Sequence, residues 1–332
     1  MSSIIRLFTV ITFFFILSSQ GCDDKNETNS TIPMENTTTE TNKGNKYSSS
    51  WADYNRLIEE GKFVDAQNVV KMIYQEAVRK KNHPEQLRTL TAEIELANRL
   101  TEEALTQQWK IYNRYEKDSP YPLKSLVRLE KLHFISGMRG GDSTDGASVE
   151  EHDIRLWNKD RENAEIDKIV QLVTTDHVDV LKKTKLTDYE IAFERKEVHL
   201  NAVFPTLYHY TSIKLLEYFQ ENGYSRRSNL TEEEANAMLL NAADFIKVDM
   251  ETRTFENERA KLVLKIYQDI TRFSWERGET FATEWFNLHR ITQNSSVLFA
   301  NKSDAYWKFV ADLGKKSSVK AIALEVDRLI IQ

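Results

Sequence analysis

Cysteine occurs once in this chain of 332 residues, at Cys22, beside only five prolines and ten glycines. A lone cysteine allows no disulfide within the chain and no thiolate metal site; once acylated, as argued below, it also provides no Cys–His nucleophile. The seven histidines stand at 83, 133, 152, 177, 199, 209 and 289, and no two are four residues apart. That spacing excludes a helical zinc pair. Gly-x-Ser-x-Gly, a Gly-x-x-x-x-Gly-Lys phosphate loop and Gly-x-Gly-x-x-Gly are missing as well. RGGDSTDG, residues 139–146, is rich in glycine, but no lysine follows its glycines and it comes after a helical pattern, so it reads as a loop. No block of basic residues stands out, which argues against nucleic acid as a partner. The acidic pairs, such as Glu59–Glu60 and Glu102–Glu103, fall on polar helix faces, where carboxylates are ordinarily solvated. The sequence thus predicts no catalytic residue, no metal ligand and no cofactor: not an enzyme.

The apolar run LFTVITFFFIL, residues 7–17, follows Arg6. Eleven residues are too few to span a bilayer and suit the core of a secretion signal. Small residues lead from it to Cys22 in SSQGC. Residues 1–21 therefore read as a lipoprotein signal peptide and Cys22 as the lipidation site, although Ser19 stands where the strict signal has leucine. Acylation at Cys22 would make a lipid bilayer the first partner. Several acyl chains, each methylene contributing about 0.8 kcal/mol, would hold the chain there permanently. Residues 22–50 contain almost nothing apolar and read as a flexible tether. Without Arg6 the remaining 44 basic residues face 51 acidic ones, a net charge near −7 (44 − 51).

From residue 51 onward apolar side chains recur every three or four positions and no alternating run persists, which predicts an all-α chain. Tyr54, Leu57 and Ile58 form one stripe, Gly61 breaks it, and Phe63, Ala66, Val69, Val70, Ile73, Tyr74 and Ala77 form the next. Two such helices joined at a glycine suggest an irregular tetratricopeptide-like array. Residues 51–138 are expected to form a first helical subdomain, 139–152 a Gly/Asp-rich loop, and 153–332 a second helical subdomain. TEEEANAMLLNAADFI opens with Thr231 and Glu234 at capping-box spacing. The last helices are expected over about 280–291, 303–313 and 317–331. FPTLYHYTSIKLLEYF, residues 204–219, begins at Pro205 and is apolar nearly all round, as a central helix would be. His209 within it reads as a core histidine with satisfied nitrogens, not a catalyst.

Trp275, Phe281, Trp285 and Phe286 gather around Gly278. They are the candidate ligand-contact residues, able to stack on a sugar or grip a protein, with packing between helices as the competing role.

Four segments resemble the N-terminal helical region of alpha-2-macroglobulin-like lipoproteins from Bacteroidota. WADYNRLIEEGKFVDAQNVVKMIYQEA resembles that family's opening hairpin and SPYPLKSLVRLEKLHF its Pro-x-Pro helix start. IRLWNKDRENAEIDKIVQLV resembles a Trp-centred segment, and Pro205-Thr206-Leu207-Tyr208 opens the fourth, with His209 where the family commonly has an acidic residue. The order of the segments agrees. The family's chains continue into macroglobulin β-sandwich domains, some with a Cys-x-x-Gln thioester that traps proteases. This sequence has neither, so no trapping residue carries over. The resemblance implies a membrane-anchored, non-enzymatic binding module of an anti-protease or envelope-defence system, at the outer membrane, with a protease or a macroglobulin-type chain as protein partner. The alternative from the aromatic cluster is a helical glycan-binding lipoprotein of a nutrient-uptake system.

Overall fold

The computed structural model describes residues 47–137, 159–175, 177–192, 203–221, 232–252, 258–293 and 295–331. Regular structure among them is helical throughout, and the only β feature is an isolated antiparallel bridge between Lys185 and Thr206. The chain divides into two compact units, residues 1–69 and 70–332, with the division inside a helix. The expected signal peptide, Cys22, most of the expected tether and the 139–152 loop lie outside the described residues.

The first unit contributes α1 (Ser48–Glu59) and the first turns of α2 (Phe63–Arg79). Helix starts two residues before the expected end of the tether. The physical reason is Tyr47 and Trp51, one turn apart, which are both buried and tie the serines between them into the helix; the Trp51 amide donates to the Tyr47 carbonyl at 2.9 Å. Trp51, Tyr54 and Leu57 make the buried stripe, with the Trp51 and Tyr54 rings edge to face at 5.4 Å. The helix ends at Gly61, whose φ of +69° lets the Lys62 amide reach back to the Leu57 carbonyl at 2.8 Å, a Schellman closure that side chains with a Cβ resist.

The second unit carries α2 onward. Lys81 takes the left-handed position after α2, with the Asn82 amide on the Ala77 carbonyl. Asn82 then caps α3 (His83–Leu100), its side chain accepting from the Glu85 amide, with Pro84 in the first turn. Next come α4 (Ala104–Asp118), α5 (Leu123–Gly137), α6 (Lys159–Thr174), α7 (Val178–Lys183) and a 3₁₀ turn (Leu186–Ala192). A partly buried ion network joins α4, α5 and α6. The Glu116 carboxylate accepts from Arg128 and from Lys131, each at 2.8 Å, while Lys131 lies 3.6 Å from Glu165 and over the Trp109 ring. Burial alone would raise the Glu116 carboxyl, but the two cations outweigh it and hold it below the usual range.

The α8 helix (Leu207–Glu221) occupies the centre, as its all-round apolar sequence predicts. It packs against α5, α6, α7 and α11 (Glu258–Glu276). It begins two residues beyond Pro205, because Pro205 and Thr206 pair with the 184–186 segment: the Leu186 amide donates to the Pro205 carbonyl and the Leu207 amide to the Thr184 carbonyl. Helices from both sides of residues 139–152 pack together within the second unit, α5 against α6 and α8.

The remaining elements are α9 (Glu232–Met238), α10 (Ala242–Phe245), α12 (Thr280–Gln293), α13 (Ser295–Lys316) and α14 (Lys320–Ile331). Thr231 lies outside the described residues. The single helix expected from TEEEANAMLLNAADFI is split, because Asn241 turns outward as the cap of α10 and accepts from the Asp244 amide at 3.0 Å. The α13 helix begins eight residues earlier than expected, continuing through the polar 301–303 stretch that carries no helix breaker. Gly314 near its end lets α14 approach: a Cβ there would stand 2.7 Å from Cγ1 of the buried Val326. Gly314→Ala should therefore lower stability by about 1–3 kcal/mol despite its better helix propensity. Urea denaturation checks this, with Gly314→Ala/Val326→Ala expected to lose less than the sum of the two single changes.

Candidate functional site

The turn between α11 and α12 is built like the one after α1. Gly278 has φ +70°, and the Glu279 amide returns to the Ser274 carbonyl at 3.0 Å. Glu279 then stands at the entrance of α12, and its carboxylate pins the turn. One oxygen accepts from Arg277 at 2.6 Å and the other lies 3.0 Å from Nε2 of the buried His209. His209 Nε2 is also 3.1 Å from the Ser274 hydroxyl, and its Nδ1 is 2.8 Å from the Thr206 hydroxyl. Burial drives the His209 pKa down, more than Glu279 raises it, so the ring is neutral near pH 7. Burial pushes the Glu279 carboxyl up, but the bonds from His209 and Arg277 outweigh this and leave it lowered.

A serine, a histidine and a carboxylate in contact invite comparison with a nucleophilic triad, and the geometry answers it. Serine and carboxylate share one imidazole nitrogen, whereas a relay needs them on opposite nitrogens. The Ser274 hydroxyl donates to the Ile270 carbonyl at 2.9 Å and is buried. This cluster holds a turn in place. Among the described residues no group of three or more His, Cys, Asp and Glu side chains is arranged to bind a metal ion, and no helix is long and apolar enough to cross a membrane.

Next to that turn lies a cavity of about 650 Å³, bounded by the α9–α10 junction, the end of α11, α12 and α13. Its polar wall is a stripe of α12: Thr280, Thr283, Glu284 and Asn287, spaced three, four and seven residues from the first. The facing stripe of α13, at the same spacing, is Phe309, Asp312, Leu313 and Lys316. Leu239, Leu240 and Ala243 close another side, and Trp275, 49% exposed, stands at the cavity with its ring accessible. The floor is held by Arg290, fully buried: its Nη2 donates to the Leu240 carbonyl at 2.6 Å and the Asn287 side-chain carbonyl at 2.8 Å, and its guanidinium lies 3.5 Å over the Phe245 ring. Burial lowers the Arg290 pKa to about 9, still charged at neutral pH. Glu284 accepts from the hydroxyls of Ser317 and Ser318, joining the α13–α14 link to this wall. Thr283 is 4% exposed, and its hydroxyl has no hydrogen-bond partner among the described residues.

The four aromatic candidates part company here. Trp275 lines the cavity. Phe281 is half-buried against Phe204. Trp285 and Phe286, at 2% and 0% exposed, are corrected from ligand contacts to core: both pack on Phe204, and Trp285 stacks on His289 at 4.4 Å. The reason is the helical period, since 285 and 286 together centre on the face of α12 opposite its polar stripe. Thr283, Glu284, Asn287 and Asp312 were not singled out from sequence. For Thr283, Glu284 and Asn287 the signal was present, as polar residues at three-four spacing in TFATEWFNLHR, but it looks like an ordinary solvated face until α13, which carries Asp312, is seen to cover it.

Compared with known proteins, the chain matches no family model, no curated protein and no solved structure.

Proposed function

We propose that this chain is a non-enzymatic helical binding module, anchored to a membrane through acylated Cys22, that takes a ligand into the cavity between α10 and α13. One observation carries the reading: a cavity of about 650 Å³ with converging polar side chains and an accessible tryptophan, within the roughly 300–1,000 Å³ range of small-ligand sites. The left-handed helix ends at Gly61, Lys81 and Gly278 support an irregular tetratricopeptide-like arrangement of hairpins. The four resembling segments support a setting in a macroglobulin-type envelope-defence system, with a protease or macroglobulin-type chain as the protein partner. The apolar run before Cys22 supports a signal peptide, and the resembling segments support an outer-membrane location.

Titration of the full chain with the fluorescent probe anilinonaphthalene sulfonate tests the cavity. Saturable binding with one site is expected, lost in Ala243→Trp, which fills the space, with helicity unchanged. Binding equal in both proteins would overturn the reading. Anchoring is tested separately by growth with labelled palmitate: label and membrane sedimentation are expected in the native chain and absent from Cys22→Ser.

A further inference from the structure

Building on that reading of the cavity, we propose that its ligand is a neutral saccharide of about two or three rings, lying with one sugar face on Trp275 and its hydroxyls against Thr283, Glu284 and Asp312.

Charge comes first. The cavity is lined by two carboxylates, Glu284 and Asp312, and by Lys316, while the buried Arg290 guanidinium bonds to Leu240 and Asn287 of its wall. Two negative and two positive groups cancel, so the site offers neither an organic cation nor an anion a net attraction. It does offer charged hydrogen-bonding groups at close quarters. Asp312 and Lys316, one helical turn apart, present an acceptor and a donor on the same face of α13. Adjacent sugar hydroxyls each donate and accept, and they match such a pair.

The second observation is Thr283. Its hydroxyl is buried in the wall with no hydrogen-bond partner among the described residues. A group in that condition gains by meeting a ligand hydroxyl, and the gain discriminates against ligands without one. Third, Trp275 leaves half its surface in water beside this polar wall. An indole face covers the C–H face of a sugar ring well, because the ring's hydroxyls project sideways toward the acceptors. A purely apolar ligand would use Trp275 and the leucines but would cover the Asp312 carboxylate and leave the Thr283 hydroxyl without a partner. The volume suits two or three rings, the size of a drug-like ligand.

The test is calorimetric titration of the full chain with neutral oligosaccharides of glucose, mannose, galactose, xylose and N-acetylglucosamine, two to six rings long, together with the anilinonaphthalene probe. At least one series is expected to bind. Trp275→Ala should weaken it about tenfold or more, and Thr283→Val about three- to tenfold, while Thr283→Ser retains most of the affinity. Ala243→Trp should abolish sugar and probe binding together. Absence of binding to every sugar, with probe binding still removed by Ala243→Trp, would overturn the saccharide and leave the cavity as the site. Sugar binding unaffected by Ala243→Trp and Trp275→Ala would overturn the saccharide assignment at this cavity. Loss of sugar binding in Thr283→Val with full rescue in Thr283→Ser supports the hydroxyl contact; equal loss in both would remove it.

Discussion

Phe286→Ala lowers the free energy of unfolding by about 3–5 kcal/mol, whereas Trp275→Ala lowers it by less than about 1 kcal/mol. The two rings lie eleven positions apart in one aromatic-rich segment, and nothing in their chemistry separates them. Phe286 is fully buried, with ring centroids at 4.9 Å from Trp285, 5.7 Å from Phe204 and 6.2 Å from His209. Truncation removes its transfer free energy and leaves a cavity among rings that are pinned from other sides. His209 is bonded to Thr206 and Glu279, and Trp285 is stacked on His289, so the gap has little freedom to collapse. Trp275 is half in water, and its loss exposes little that was dry. Urea denaturation followed by far-ultraviolet circular dichroism measures both. Equal losses, or a larger loss for Trp275→Ala, would show that the assignment of core and cavity along this segment is inverted.

Acidification below pH 6 destabilises the chain through His289. This ring is buried, with Nδ1 2.7 Å from the Tyr267 hydroxyl and its face on Trp285, and burial lowers its pKa from 6.5 to about 3. A base depressed in the folded state is protonated first in the unfolded chain. Its contribution is complete above pH 6.5 and declines as pH falls from 6.5 toward 3. The full difference is on the order of 4–5 kcal/mol, with about 3 kcal/mol gone by pH 4. His133, lowered to about 4 by burial and by Lys214, acts in the same direction. The lowered Glu279 carboxyl adds to it, since its stabilising contribution is lost as pH falls through its folded pKa. Urea midpoints from pH 7 to 4 should fall steeply in the native chain. In His289→Gln, which has no titrating ring, the same series should start lower and fall less. Parallel slopes for the two proteins would rule His289 out as the source.

Residue spacing alone determined that the chain is helical and where most helices stop. Gly61 and Gly278 end helices because they adopt a left-handed conformation that other residues resist, and a backbone rule of that kind is local. The centrality of α8 was legible for a similar reason: a helix apolar on every side has no face left for water. His209 was legible as a buried ring, but its partners Glu279 and Ser274, some 65 to 70 positions away, were not. Helix boundaries went astray at residues 48, 207 and 241, where a buried tyrosine, a β-bridge and an asparagine cap overrode the periodic pattern.

Which polar stripe meets solvent and which lines a cavity was decided only by tertiary structure. The Thr280–Asn287 stripe of α12 has the sequence of a wet helix face. It becomes a wall because α13, more than 20 residues later, returns across it and because the Gly278 turn sets Trp275 beside it. Amphipathic spacing specifies that a helix has two faces; the identity of what lies opposite each face depends on contacts between residues far apart in the chain, and those have no period to read.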